Sequence, residues 1–239
     1  MPPKLGIMAG GGLLPILIDQ HCARTGRDRF VVAFSGHADP VDFAASPHAV
    51  NRLGAAGRTI KLLKSAGCGE VVLVGNIRRP GFVQLLPDGW AIRFLVTTGA
   101  FGKGDDGLLS ALIGAIEAEG LRVVGVDQLL PELVTPLGVL GQMQPTDVDR
   151  RDIDAAIAAA RAIGIADKGQ AAVARNGAVI AREDKSGTDA MLNRIPLRDP
   201  GQPGGVLAKT MKPGQERRAD LPAIGPETVT KAHRAGLAG

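Results

Sequence analysis

The densest chemistry in the chain lies in LAKTMKPGQERRADLPAIG, Leu207 to Gly225, where Lys209, Lys212, Arg217 and Arg218 crowd around Glu216 and Asp220 before a rigid Leu221-Pro222 step. Several cations and two carboxylates confined to one short irregular segment suit an anion, with a divalent metal as an allowed companion. A solvated surface loop has the same density of charge, so this stretch alone leaves both readings open. Of 28 basic and 24 acidic residues, nine and five fall between Lys185 and Gly239, so that segment carries the whole net charge of +4. A basic face fits phosphates, acidic lipid headgroups or nucleic acid. Nucleic acid is the weakest of these partners, because aromatic residues make up 3% of the chain, with no Tyr and one Trp to stack bases.

Glycine turns supply the second group of candidates. Gly10-Gly11-Gly12 stands between an apolar run and a helical pattern, where free N–H groups and the helix dipole can cradle a phosphate. It is a poor G-x-G-x-x-G, since Pro15 occupies the last glycine position. The next strand also ends in FSGH, with no acid for a ribose hydroxyl, which weakens a nicotinamide reading. A purely structural turn remains the alternative. In Gly75-Asn76-Ile77-Arg78-Arg79-Pro80, Asn76 can read a base or sugar and Arg78 can fork onto a phosphate; a solvated loop is the competing reading. Asp105 and Asp106, and likewise Thr188 and Asp189, either cap helices or meet a ligand or metal.

Other chemistries find little support. The four histidines form no metal-ligand pattern, and Ser35 and Ser46 lie in no nucleophile elbow. Cys22 and Cys68 have no CxxC partner or suitably spaced His, so they read as small buried hydrophobes in a reducing compartment. Carboxylates, cations and glycine turns remain, which match phosphoryl or pyrophosphate chemistry supported by Mg²⁺.

Positioning these groups requires an α/β fold. KLGIMA (Lys4–Ala9), RFVVAF (Arg29–Phe34), EVVLV (Glu70–Val74) and LRVVGV (Leu121–Val126) read as strands of a Rossmann-like parallel sheet. Helices follow the glycine turn up to Gly26 and cover Thr59–Ala66 and Asp106–Glu119. Phe82 to Gly107 shows no clear pattern. A boundary near Pro145 separates residues 1–144 from a smaller α+β domain at 145–239. The second domain opens with a helix capped by Thr146, then a hairpin around Asn176-Gly177, a helical turn at Gly187–Arg194, a strand at Val206–Lys209 and a last helix at Pro226–Ala235. Glycines and Pro15 break the apolar start of the chain, which argues against an export signal. No apolar run reaches the roughly 20 residues that a spanning helix needs, so membrane contact would be peripheral.

With these motifs assembled, the chain resembles the LpxI family of UDP-2,3-diacylglucosamine pyrophosphatases of lipid A biosynthesis. The likeness rests on LGIMAGGGLLP, GNIRRP, GKGDDGLL, TPLGVLG, KGQAAV, AREDKSGTDAML and GVLAKTMKPGQERRADLPAIG, in that order over nearly the whole length. The resemblance implies two domains with the substrate held between them. It also implies hydrolysis of UDP-2,3-diacylglucosamine to UMP and 2,3-diacylglucosamine 1-phosphate (lipid X), with attack at the phosphorus nearer the glucosamine and with Mg²⁺ support. By the same likeness Asp220 is the essential acid, holding Mg²⁺ or the attacking water. Lys209, Lys212, Gln215 and Arg218 would bind phosphates, Thr188 and Asp189 the sugar phosphate or metal, and Gly11, Gly12, Asn76 and Asp105 the nucleotide-sugar side. Ser186 stands where the family usually has Glu, and relatives usually continue past Gly239. The expected setting is cytoplasmic, peripheral on the inner membrane, with a homodimer as one allowed assembly. The rival reading is a non-catalytic nucleotide-sugar-binding or regulatory protein.

Overall fold

The computed structural model describes residues 2–77, 85–99, 105–197 and 203–239. The chain forms two compact units. One is Met1–Thr135 together with Glu216–Ala219, and the other is Pro136–Gln215 together with Asp220–Gly239.

In the first unit, β1 (Leu5–Ala9), β2 (Arg29–Phe34), β3 (His48–Asn51), β4 (Glu70–Val74) and β5 (Arg122–Val123) form a parallel sheet in the order 3-2-1-4-5. Strand alternation splits the apolar residues between two faces. Leu5, Ile7, Ala9 and Val31 pack with Ile18 and Cys22 of α1 (Leu13–Thr25). Val32, Phe34, Val71 and Val123 pack on the other face with Ile60 and Leu63 of α2 (Ala56–Ser65). Each fully buried Leu or Ile contributes roughly 1.5–3 kcal/mol, so the two faces together anchor the strand ends that carry the glycine turns. Gly6 lets α2 come close, since a Cβ there would lie 2.5 Å from Leu63 Cδ2.

Several elements differ from the sequence expectation. Strand β3 was not anticipated because its HAVN segment buries only Asn51, whose Nδ2 donates to Thr59 Oγ1 at 2.9 Å. Helix α3 (Gly89–Thr98) was masked by Pro87 and Gly89; Asp88 Oδ1 caps it by accepting from Ala91 N at 2.9 Å. The other oxygen of Asp88 accepts from Arg58 N at 3.1 Å. That tertiary cap lets α2 begin at Ala56, a turn before the expected Thr59. Helix α4 (Asp105–Ala118) forms close to where it was expected. Strand β5 is shorter than Leu121–Val126: Val124 N still bonds Val71 O at 2.9 Å, but Gly125 then turns into α5 (Val126–Leu129).

In the second unit, α6 (Asp147–Ile165) starts at a reciprocal capping box in which Asp149 N donates to Thr146 Oγ1 at 3.2 Å and Thr146 N to Asp149 Oδ2 at 2.8 Å. It lies on an antiparallel sheet of β6 (Ala171–Arg175), β7 (Ala178–Arg182) and β8 (Val206–Lys209), ordered 7-6-8. The Asn176-Gly177 hairpin is present as expected, both residues having positive φ, 54° and 76°. Small residues on both partners, Ala156 and Ala160 on the helix and Ala172, Ala174 and Ala208 on the strands, form the buried seam. The opposite face buries Val173 against Met191 and Leu192 of α7 (Gly187–Asn193) and against Ala235 and Leu237, just after α8 (Pro226–Arg234).

Candidate functional site

The first-unit candidates gather where the order of the parallel sheet reverses, at the carboxyl ends of the neighbouring strands β1 and β4. Open α/β sheets take ligands at such a switch point. The two glycine turns are stitched together by their backbones: Gly11 N donates to Asn76 O at 2.9 Å, Asn76 N to Gly11 O at 2.7 Å and Gly10 N to Val74 O at 2.8 Å. Little space remains for side chains. A Cβ on Gly11 would lie 2.7 Å from His37 O, and one on Gly75, whose φ is +96°, 2.7 Å from the Gly10 carbonyl carbon. Gly12 is exposed at the start of α1, which has no side-chain cap, and the Asn76 side chain is exposed beside it. Gly11, Gly12 and Asn76 are thus brought together. Arg78 lies outside the described residues; Asp105 opens α4, and its side chain is likewise outside them.

Glu216–Ala219 belongs to this unit. Arg218 forks onto Glu216, with Nε to Oε1 and Nη2 to Oε2 both at 2.9 Å, and Nη1 reaches Glu117 Oε1 at 2.7 Å. The Arg218 guanidinium holds the Glu216 carboxyl below its usual range, and Glu216 in turn raises Arg218. Arg217 approaches Asp127 at 3.5 Å. Arg218, expected on a phosphate, therefore already faces two carboxylates.

The second unit holds the remaining candidates. After β8, Lys212-Pro213-Gly214-Gln215 closes a turn in which Gln215 N donates to Lys212 O at 3.2 Å and Gly214 has φ +77°. Pro at the second position and a positive-φ Gly at the third are the signature of a type II turn. The turn buries the Gln215 side chain, whose Oε1 accepts from Lys212 N at 2.9 Å and whose Nε2 donates to Asp220 Oδ2 at 2.6 Å. Lys212 Nζ pairs with Asp167 at 2.8 Å, and Lys209 Nζ donates to Ala223 O at 3.0 Å. Lys212, Gln215 and Asp220 are brought together.

Thr188 and Asp189 are engaged elsewhere. Thr188 Oγ1 donates to Glu183 Oε1 at 2.6 Å, and Glu183 Oε2 accepts from Gln170 N at 2.7 Å, which satisfies a buried carboxylate within the unit. Asp189 pairs with Lys231 at 2.9 Å, and Lys231 also binds Glu227 at 2.7 Å; Glu227 and then Asp189 push the lysine above its usual value. Glu183 was missed in the sequence because AREDKSG reads as a solvated charged run. Its only signal is position: it directly follows the strand-forming AVIAR.

Both thiols are buried and free, and burial pushes each above its ordinary value, as suits small core residues. Ser46 Oγ donates to buried Asp19 at 2.8 Å and accepts from Arg29 at 2.9 Å, a structural network with no nucleophilic role. Among the described residues, no group of three or more His, Cys, Asp or Glu is placed to hold a metal. No helix among them is long and apolar enough to cross a membrane.

The fold class is α/β, a Rossmann-like parallel sheet accompanied by a smaller α+β unit. Comparison with known families narrows this. The family model for the LpxI N-terminal domain matches residues 4–133, and that for the LpxI C-terminal domain matches 136–239. A curated relative from Caulobacter vibrioides, named UDP-2,3-diacylglucosamine pyrophosphatase LpxI, is 41% identical over 243 residues, spanning 99% of this chain and 86% of the relative. The chain belongs to the LpxI family.

Proposed function

We propose that this chain hydrolyses the pyrophosphate of UDP-2,3-diacylglucosamine to UMP and 2,3-diacylglucosamine 1-phosphate, with Mg²⁺ support and at the inner-membrane surface. Family membership and the name of the Caulobacter relative support the substrate and the reaction class. The observation that carries the reading is Asp220: a part-buried carboxylate in the basic loop, with Oδ2 held by Gln215 and with no hydrogen bond to Oδ1 among the described residues.

The donor set fits Mg²⁺ in a particular way. Mg²⁺ is commonly held by one or two protein carboxylates, with substrate phosphates and water completing its shell. Asp220 has an oxygen to offer, whereas Asp189 is already neutralised by Lys231. Asp220 would thus hold the ion through Oδ1, or orient the attacking water from the same atom. When bound, Mg²⁺ would supply positive charge against the negative charge that builds on the pyrophosphate oxygens. Lys209 has no carboxylate partner among the described residues and is the cation best able to meet a substrate phosphate. Lys212 and Arg218 would do so by exchanging their present carboxylates. Gly11, Gly12 and Asn76, with Arg78 and Asp105, would form the nucleotide-sugar side.

The test is incubation of purified protein with UDP-2,3-diacylglucosamine, with Mg²⁺ or with EDTA, following UMP. UMP released only with Mg²⁺ is the expected result, and absence of Mg²⁺-dependent UMP would overturn the reading. Co-sedimentation with anionic vesicles tests membrane association separately.

A further inference from the structure

Asp220 and three ion-paired carboxylates are held in contrasting ways. Asp167 is paired with Lys212, Glu216 with Arg218, and Asp189 with Lys231. Asp220 is held by a neutral amide. A cation beside a carboxylate cancels the charge that a metal ion or a polarised water would need. An amide fixes the same group in place and leaves its charge intact. We propose that Gln215 is a positioning residue for Asp220, fixing Oδ2 so that Oδ1 is presented to the metal or the attacking water. The inference rests on the catalytic assignment of Asp220 made above.

The geometry carries this in three steps. The orientation of the amide is determined by its neighbours: Lys212 N–H can only donate, so the Gln215 atom 2.9 Å from it is oxygen, and the atom facing Asp220 is the NH₂ group. The amide is also immobilised. Gln215 is 6% exposed, its main-chain N–H closes the turn onto Lys212 O, and its side chain returns to Lys212 N, so one residue pins the turn twice. Finally, both ends of the amide are used inside the protein. Nε2 keeps one N–H beyond the bond to Asp220, and a phosphate contact through it would have to be made from a buried position. Its effect on the reaction therefore runs through Asp220.

The test compares wild type with Gln215→Glu and Gln215→Ala. Gln215→Glu keeps the side-chain length and an oxygen for Lys212 N but replaces the donor facing Asp220 with an acceptor. It remains informative if Gln215→Ala fails to fold. In UMP release per folded molecule, Gln215→Glu is expected to lose roughly 10- to 100-fold in kcat with KM within about threefold of wild type. A second readout does not need turnover. In ¹⁵N spectra, the Gln215 side-chain amide, assigned by its loss in Gln215→Glu, should move when Asp220 is replaced by Ala. A raised KM with unchanged kcat would assign Gln215 to substrate binding and overturn the proposal. Unchanged kcat per folded molecule with lowered Tm would reduce Gln215 to a structural role and overturn it too. If wild type releases no UMP, the functional reading fails, and the amide shift alone decides whether Gln215 holds Asp220: an amide indifferent to Asp220→Ala overturns the pairing.

Discussion

The glycine turns of the first unit and the Lys212–Asp220 loop are built by opposite means. At the glycine turns, Gly10, Gly11, Gly75 and Asn76 are held by main-chain hydrogen bonds, and an added Cβ at any of these three glycines would lie 2.7–2.9 Å from backbone atoms. In the loop, shape comes from a two-residue turn signature, and the functional geometry comes from side chains: Gln215 on Asp220 and on Lys212 N, and Lys212 on Asp167. The first construction tolerates no added volume and is indifferent to charge. The second tolerates small changes in volume but depends on which atoms donate and which accept.

The largest expected effect follows from the second construction. Asp220→Asn preserves shape and keeps an acceptor for Gln215 but removes the charge, so UMP release should fall by about 100-fold or more, while Tm stays close to that of wild type. Retained activity would remove Asp220 from the chemistry. Gly75→Ala tests the first construction. Its φ of +96° and a contact of 2.7 Å with main-chain atoms should cost about 3 kcal/mol or more in thermal or urea unfolding. A change of under about 1 kcal/mol would show that the backbone stitch yields more easily than its contacts imply.

A smaller effect is expected at Thr188. Valine keeps the shape of threonine but removes the hydroxyl, leaving Glu183 Oε1 buried without its donor. The loss should be about 1–3 kcal/mol, read by urea denaturation, with kcat per folded molecule retained. A fall in kcat without a fall in stability would instead place the Thr188 hydroxyl on the substrate.

The same contrast explains what could be read from the sequence. Strands β1, β2, β4 and β8 and the Asn176-Gly177 hairpin were visible because apolar runs and turn residues are local signals. Strand β3 was not, because an edge segment that buries only Asn51 has no apolar pattern. Helix α3 was hidden by Pro87 and Gly89 beside its own cap, Asp88, and the early start of α2 depends on the other oxygen of Asp88, thirty residues away in sequence. Asp220 stood out through motif and charge, and the glycine turns through composition. The partners did not. Arg218 looked like a phosphate ligand until Glu216 and Glu117 were seen on it, and Glu183 was not singled out by its sequence, since only the fold buries it and bonds it to Thr188. The Pro213-Gly214 step was the one local clue that Gln215 returns toward Lys212, and from there toward Asp220.

The smallest prediction extends the contrast between main-chain and side-chain construction to the start of α6, read by pH. A region held by main-chain bonds between glycines has nothing to titrate, whereas α6 begins with a carboxylate cap. Asp149 is held below the ordinary aspartate range by the Thr146 hydroxyl first and by the Thr146 main-chain N–H second. A depressed folded value means that the cap's contribution is complete above the unfolded value, near about 3.9, and is lost as pH falls through the folded value. Asp149 is only half-buried, so the contribution is small, about 0.5–1 kcal/mol as for other caps. Asp149→Ala should therefore melt slightly below wild type from neutral pH to about pH 5, and the gap should close as pH falls below about 4. A gap that stays constant or widens on acidification would show that Asp149 supports α6 through packing rather than through its charge.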